Sequence, residues 1–407
     1  MMEEDDKMSE IKMAAENDEF SHTLPVGPLG LVALPGCEEL AERVDAYLAM
    51  WRKGREQDFN GYKKDSYMIE NSLPRFGSGE AKGVLNASVR GDDLYILVDI
   101  CNYSLTYPMY GKENPMSPDD HFQNLKRIIA AVGGKAKRIT VIMPFLYESR
   151  QHKRSGRESL DCALALQELV SMGVSCILTF DAHDPRVQNA IPLSGFETIV
   201  PTYQFIKALL RTEKDLQLDS QHMMIISPDE GAVGRAIYFS TMLGGLDVGM
   251  FYKRRDYTRV VNGKNPIVAH EFLGSSVAGK DVVIVDDMIA SGESVIDVAK
   301  QLKARNARKV FVCASFGLFT AGMEIFDQAV NDGLINKILT TNAIYQSPET
   351  LARPYYVSVD LSKYIALLID TMNHDMSLEP LLNPVDKIQT RLAKYKEKQE
   401  AKKNEMR

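Results

Sequence analysis

Residues 282–294, Val-Val-Ile-Val-Asp-Asp-Met-Ile-Ala-Ser-Gly-Glu-Ser, constrain the fold more than any other stretch of this chain. The run of β-branched residues Val282, Val283, Ile284 and Val285 suits a parallel strand buried on both faces. Asp286 and Asp287 stand at its carboxyl end, and a small polar turn follows. A helix is expected from about Glu293, because Val295, Val298, Ala299 and Leu302 recur at i, i+3, i+4 and i+7. Val310 to Cys313 supplies a second buried strand. Such a strand–helix–strand crossover is right-handed and places its turn at the carboxyl edge of the sheet, where open α/β sheets bind ligands. Unpaired N–H groups at a helix start attract phosphate. Paired carboxylates beside them can accept hydrogen bonds from vicinal hydroxyls. Phosphate donors next to hydroxyl acceptors suit a sugar phosphate; a metal-binding acidic pair on an ordinary turn is the competing reading.

The same alternation runs through the rest of the chain. Leu40, Val44, Tyr47, Leu48 and Trp51 mark a helix, and Leu94 to Val98 a strand. Phe122, Leu125, Ile128, Ile129 and Val132 form another helix face before a strand at Ile139 to Met143. Leu160 to Met172 reads as a helix closed by Gly173, and Cys176 to Phe180 as a strand. A strand at Met223 to Ile226, a helix after Gly231 and a strand at Val248 to Tyr252 follow. The pattern predicts an α/β protein with two mostly parallel sheets and helices on both faces. With 407 residues, 45% of them hydrophobic, the chain can fill two such cores.

The expected division is an acidic, mobile arm at 1–26, a first domain at 27–195 and a second at 196–355. A segment at 356–384 would pack back on the core, and 385–407 would be a charged, solvated terminal helix or tail, although Val385, Ile388, Leu392 and Tyr395 fall at helical spacing. A net charge of −7 gives no electrostatic reason to expect nucleic acid. No apolar run approaches the length of a membrane span. The five cysteines form no CxxC pair, which fits a reducing, cytoplasmic setting and argues against a thiolate zinc site.

Other polar segments also follow strands. After Met143 comes Arg150-Gln151-His152-Lys153-Arg154, either a solvated basic loop or an anion receiver at a sheet edge. After Phe180 comes Asp181-Ala182-His183-Asp184, with His183 a candidate Mg²⁺ neighbour. Ser227-Pro228-Asp229-Glu230-Gly231 suits a helix cap or an acidic site. Lys253-Arg254-Arg255 ends a strand with three cations that repel one another unless an anion or carboxylates sit nearby.

The segment Asp286-Asp287-Met288-Ile289 with Ser291 and Ser294 resembles the signature of type I phosphoribosyltransferase folds. Taken in order, the segments resemble the ribose-phosphate pyrophosphokinase (PRPP synthetase) family over about Gly30 to Leu381, as a divergent long form. The resemblance implies two tandem type I phosphoribosyltransferase-like domains. It implies Mg²⁺-dependent transfer of pyrophosphate from ATP to the C1 oxygen of ribose 5-phosphate, giving PRPP and AMP for nucleotide biosynthesis. In that reading Phe76, Glu80, Arg150 and Gln151 place ATP. His183, Asp181 and Asp229 serve the metal, and Lys253 and Arg255 are catalytic. Asp286, Asp287, Ala290, Ser291, Gly292, Glu293 and Ser294 hold ribose 5-phosphate.

The turn with Phe76 and Glu80 completes a neighbouring subunit's nucleotide site in the family, which implies dimers with shared sites, assembled into a hexamer. Ser78 and Ala290 stand where the family carries Asp, Glu293 where it carries a small residue, and the insert Tyr107 to Ser117 has no clear counterpart. A phosphoribosyltransferase that consumes PRPP, and a non-catalytic subunit associated with a true synthetase, are the alternative readings.

Overall fold

Two buried parallel sheets organise the chain, one in each of two compact units. The computed structural model describes residues 20, 23–57, 61–255 and 267–405, without the side chains of 253–255, 267–270 and 402–405. Most of the expected arm at 1–26 therefore lies outside the described residues. Unit 1 comprises 1–199, 343–345 and 361–383; unit 2 comprises 200–342, 346–360 and 384–407.

In unit 1, β1 (Leu29–Ala33) is followed by α1 (Glu38–Gly54), the short pair β2 (Asn71–Ser72) and β3 (Val84–Leu85), and β4 (Asp93–Leu97). Next come a hairpin, β5 (Thr106–Met109) and β6 (Lys112–Pro115), then α2 (Pro118–Val132), β7 (Arg138–Ile142), α3 (Asp161–Ser171), β8 (Cys176–Phe180) and β9 (Gly195–Ile199). The sheet order is β1-β4-β7-β8-β9, parallel throughout. Helix α2 starts where the sequence allows it to. Ser117 and Asp120 form a reciprocal capping box with Pro118 in the first turn, and Gly133 closes the helix at φ 58°.

The helix Ser362–Asn373 belongs to unit 1 and packs against α1 through buried charge. Asp370 accepts from Arg52 Nη2 at 2.7 Å and from Arg55 Nη2 at 2.5 Å, and Arg52 also reaches Asn373 at 2.7 Å. Burial pushes the Asp370 carboxyl up, but Arg52 and Arg55 together hold it below its ordinary range.

In unit 2, α4 (Thr202–Thr212) leads to β10 (Met223–Ser227), α5 (Val233–Met242), β11 (Asp247–Arg255) and β12 (Ile267–Leu273). Then follow β13 (Asp281–Ile289), α6 (Glu293–Ala304), β14 (Val310–Gly317), α7 (Glu324–Asn331), β15 (Lys337–Thr341) and β16 (Tyr356–Val359). The order is β12-β11-β10-β13-β14-β15-β16, parallel except for the antiparallel edge strand β12. Alternate residues of each central strand serve opposite faces. Ile225, Val283 and Phe311 pack with α4 and α5, while Met224, Val282 and Val310 pack with α6 and α7. Helices therefore cover both faces, as the continuous apolar strands require.

Two expectations need correction. Strand β13 does not end at the acidic pair but runs on to Ile289, because β14 continues beside it and pairs Met288 with Phe316 and Ile289 with Gly317. The final helix, Val385–Glu405, is not simply solvated. Ile388 and Leu392 are buried in the unit 2 core beside α4 and α5, and Tyr395 hydrogen-bonds the backbone at Leu216 and Glu213.

Replacing Asp370 by Ala strands two buried guanidinium groups. Breaking such a network typically costs about 3–5 kcal/mol. Trp51, the single tryptophan, is buried in α1 beside Arg52, so its fluorescence in urea reports on this unit. Because the folded pKa of Asp370 is depressed, its contribution is present above the ordinary carboxylate pKa and lost as pH falls through the depressed one. A midpoint for Asp370→Ala equal to wild type at pH 7 would exclude this role.

Candidate active site

Unit 2 gathers acids at the carboxyl ends of two neighbouring parallel strands. Asp229 follows β10, and Asp286 and Asp287 lie in the last part of β13, the strand beside it. Asp287 is buried and Asp286 half-buried. Burial first, then the charges of Asp287 and Asp229, pushes the Asp286 carboxyl well above its ordinary pKa. A cation, Arg235 from α5, stands with its Nη2 3.8 Å from Asp287 Oδ2. Asp229 also shapes the local backbone, since its Oδ1 accepts from Gly231 N at 2.9 Å and so caps the turn into α5.

The turn from Ala290 to Gly292 is held by packing rather than by side-chain hydrogen bonds alone. Gly292 has φ 93°, and a Cβ there would overlap the Phe326 ring, so only glycine fits. Thr320 N donates to Ala290 O at 3.0 Å and Leu318 N to Ile289 O at 2.9 Å, tying the turn to the segment after β14. Phe319 (φ 46°) stacks edge-on with Phe326 and Tyr356 behind it. Ser291 is half-buried, while Glu293 and Ser294 are exposed in the first turn of α6. A carboxylate at Glu293 is favourable there, at the positive end of the helix. The twelve-residue helix α6 starts shortly after the two carboxylates, and Glu293 N donates to Ser291 Oγ at 3.5 Å.

Lys253 and Arg255 fall on the last residues of β11, which neighbours β10; the pairing of β11 with β12 slips between Arg254 and Arg255. Their side chains lie outside the described residues.

In unit 1, Asp181 and His183 follow β8. Asp181 is buried at φ 41°, with its N–H donating to Ile199 O at 2.9 Å. His183 is half-buried, and the His152 ring lies 5.3 Å from it. His152 Nε2 stands 3.5 Å from Asp184 Oδ2, and Asp184 is held low chiefly by Arg186. Arg150 and Gln151 are exposed on the turn after β7, where Gln151 N donates to Glu148 O at 2.7 Å. The turn from Phe76 to Glu80 is closed by Phe76 N to Glu80 O at 2.7 Å, with Phe76 56% exposed. Ser78 Oγ donates to Glu80 Oε2 at 3.0 Å. Among the described residues no three His, Cys, Asp or Glu side chains are grouped to enclose a metal ion. The carboxylates of Asp181 and Asp229 are oxygen donors of the kind that a hard divalent cation takes.

Sequence reasoning missed Arg235, Phe319 and Phe326. Arg235 sits in the first turn of α5, and only its being a cation six residues beyond Asp229 hinted at a role. The phenylalanines read as ordinary core residues.

Two family models match the chain: the N-terminal domain of ribose phosphate pyrophosphokinase over residues 29–173, and the phosphoribosyl synthetase-associated domain over residues 259–383. A ribose-phosphate pyrophosphokinase of Vibrio parahaemolyticus is 28% identical over 315 residues, covering 77% of this chain and 90% of the relative. One from Pasteurella multocida is 27% identical over 312 residues, with 76% and 90% covered. The crystal structure of phosphoribosylpyrophosphate synthetase from Mycobacterium smegmatis superposes with a TM-score of 0.68 at 22% identity, covering 85% of this chain and 99% of that one. That likeness establishes the α/β fold. No helix among the described residues is long and apolar enough to cross a membrane.

The raised pKa of Asp286 has a measurable consequence. A group whose folded pKa lies above its unfolded value of about 3.9 penalises the folded state increasingly as pH rises from that value to the raised one. Asp286→Asn keeps an oxygen for Asp287 N, which donates to Asp286 Oδ1 at 2.9 Å, and removes the charge. The variant should melt at a higher temperature than wild type at pH 7.5 and lose that advantage near pH 4. Calorimetric melts at both pH values check this; equal melting temperatures at pH 7.5 contradict it.

Proposed function

This chain belongs to the ribose-phosphate pyrophosphokinase family, and from that premise we propose that it makes PRPP. It would transfer the β,γ-pyrophosphoryl group of ATP to the C1 oxygen of ribose 5-phosphate. The observation that carries the reading is the end of β13: two carboxylates, one raised by burial and by its neighbours' charge, beside a glycine turn that opens α6. Vicinal hydroxyls can donate to Asp286 and Asp287, and the N–H groups from Ala290 to Ser294 can receive the 5-phosphate. Phe76, Glu80, Arg150 and Gln151 would place ATP.

The reaction forms one bond, from the C1 oxygen to the β-phosphorus, and breaks the bridge between α- and β-phosphorus. AMP departs with the bridging oxygen, and the hydroxyl proton is lost. Such transfers need alignment and charge stabilisation more than covalent help. Lys253 and Arg255 are the cations assigned to the charge that develops at the β-phosphoryl group. His183, Asp181 and Asp229 are the residues assigned to Mg²⁺. When bound, the ion neutralises the triphosphate and acts as a Lewis acid. The active form is assigned as an oligomer with nucleotide sites shared between copies.

With ATP, ribose 5-phosphate and Mg²⁺, the purified chain should release AMP and PRPP in equal amounts, and a chelator should stop the reaction. Release of pyrophosphate from PRPP plus a base would instead identify a phosphoribosyltransferase. A chain inert alone, which changes the rate of an active synthetase, would be a regulatory subunit.

Lys253→Ala should lower kcat by about 10²- to 10³-fold while nucleotide binding persists, because the cation serves charge present chiefly in the transition state. Mixing it with Glu80→Ala should restore part of the activity if sites are shared between copies. Mixtures no more active than either parent would mean that each site is built within one chain.

A further inference from the structure

The hairpin β5–β6 stands outside both large sheets, yet it grips the turn that carries Phe76 and Glu80 from several directions. The Arg75 guanidinium lies over the Tyr107 ring, 3.8 Å from its centroid. Its Nη1 donates to Gly79 O at 3.1 Å, closing the turn, and its Nη2 donates to Asp120 Oδ1 at 3.1 Å. The Tyr107 hydroxyl reaches the same carboxylate oxygen at 3.4 Å. Tyr110 N donates to Gly77 O at 2.9 Å. Gly79 has φ 92°, and Met109 Sδ lies 2.6 Å from where a Cβ would sit, so the hairpin fills the space behind the turn. The Arg75 side chain is 9% exposed, whereas Phe76 and Glu80 face solvent.

This division of labour has a physical meaning. A planar cation packed on an aromatic face, forked between a backbone carbonyl and a capping carboxylate, fixes the inner side of the turn. The residues presented outward then lose less freedom when a ligand orders them. Asp120 links the arrangement to the rigid start of α2, where it also completes the capping box with Ser117.

We propose that the hairpin Thr106–Pro115 is a positioning element for the nucleotide-contacting turn, acting through the stack of Arg75 on Tyr107. Tyr107 and Arg75 are positioning residues: they set how tightly the turn receives nucleotide and leave the transfer step to other groups. This rests on the reading of Phe76 and Glu80 as nucleotide contacts, and the test separates the two ideas.

Binding of a non-hydrolysable ATP analogue with Mg²⁺ is measured by calorimetry on the full chain, alongside steady-state kinetics. Tyr107→Leu, which keeps bulk but removes the aromatic face, should weaken analogue binding about fivefold, the scale of a cation–π contact near the surface. The KM for ribose 5-phosphate and kcat at saturating nucleotide should stay within about twofold of wild type. Tyr107→Phe, which keeps the face, should restore the affinity. Arg75→Lys keeps the charge without the flat stack or the fork, and reads the same coupling should the leucine variant fold poorly. Wild-type affinity in both Tyr107→Leu and Arg75→Lys, with Phe76→Ala and Glu80→Ala still weakening it, overturns the clamp alone. Unchanged affinity in Phe76→Ala and Glu80→Ala overturns the nucleotide reading of the turn and the clamp with it. A joint fall in kcat and rise in both KM values for Tyr107→Leu and Arg75→Lys marks a general structural role and also overturns it.

Discussion

A strand buried on both faces has no place along its length for a charge, so its charges collect at its ends, and the two ends are treated differently here. At the amino ends, acids are neutralised by close arginines. Asp93 of β4 meets Arg138 at 2.7 and 2.8 Å, and Asp281 of β13 meets Arg308 at 2.8 and 2.5 Å. At the carboxyl end of the same strand β13, Asp286 is pushed up by burial and by Asp287 and Asp229, and Arg235 stands 3.8 Å from Asp287. The amino end of the strand is paired with arginine, whereas at its carboxyl end Asp287 and Asp229 stand close enough to Asp286 to favour its protonated form. Bringing carboxyl groups this close raises the cost of ionising them, and such clusters are frequent at functional sites.

The turn after β13 is firmly packed. A turn proposed to present backbone N–H groups to an anion gains from holding its shape before the ligand arrives. Gly292 is pressed against Phe326, and Phe319, itself at positive φ, lies between Phe326 and Tyr356. Tyr356 in turn shares a short hydrogen-bonded network with Thr340 and Gln346 at the ends of the outer strands. The turn is shaped from behind by aromatic packing, and the strain of one non-glycine residue is carried by a well-filled core.

What the sequence makes legible follows from the range of the interactions. The apolar runs of β10, β13 and β14 and the helix face of α6 are local patterns, so strand–turn–helix–strand and the place of Asp286, Asp287 and Gly292 within it are readable without a structure. The length of β13 is not, because its last residues extend only by pairing with β14. The terminal helix carries a visible apolar stripe at Ile388 and Leu392. Whether that stripe meets a core depends on α4 and α5, far away along the chain, and its many Lys and Glu residues favoured a solvated reading. Asp370 is similar: one acid in an apolar helix gives no sign that Arg52 and Arg55 lie opposite it. The roles of Lys253 and Arg255 rest on resemblance and strand position alone.

The departures from the family pattern also have a consistent physical logic. Ser78 replaces an acid next to Glu80, and its hydroxyl donates to the Glu80 carboxylate, so a potential repulsion between neighbours becomes a hydrogen bond. Ala290 removes an acid from the turn after β13, while Glu293 adds one in the exposed first turn of α6. There the helix N-terminus favours it and water screens it. The acid thus stands three residues further along, on an exposed position. These changes leave the acid pair, the glycine turn and the start of α6 in place.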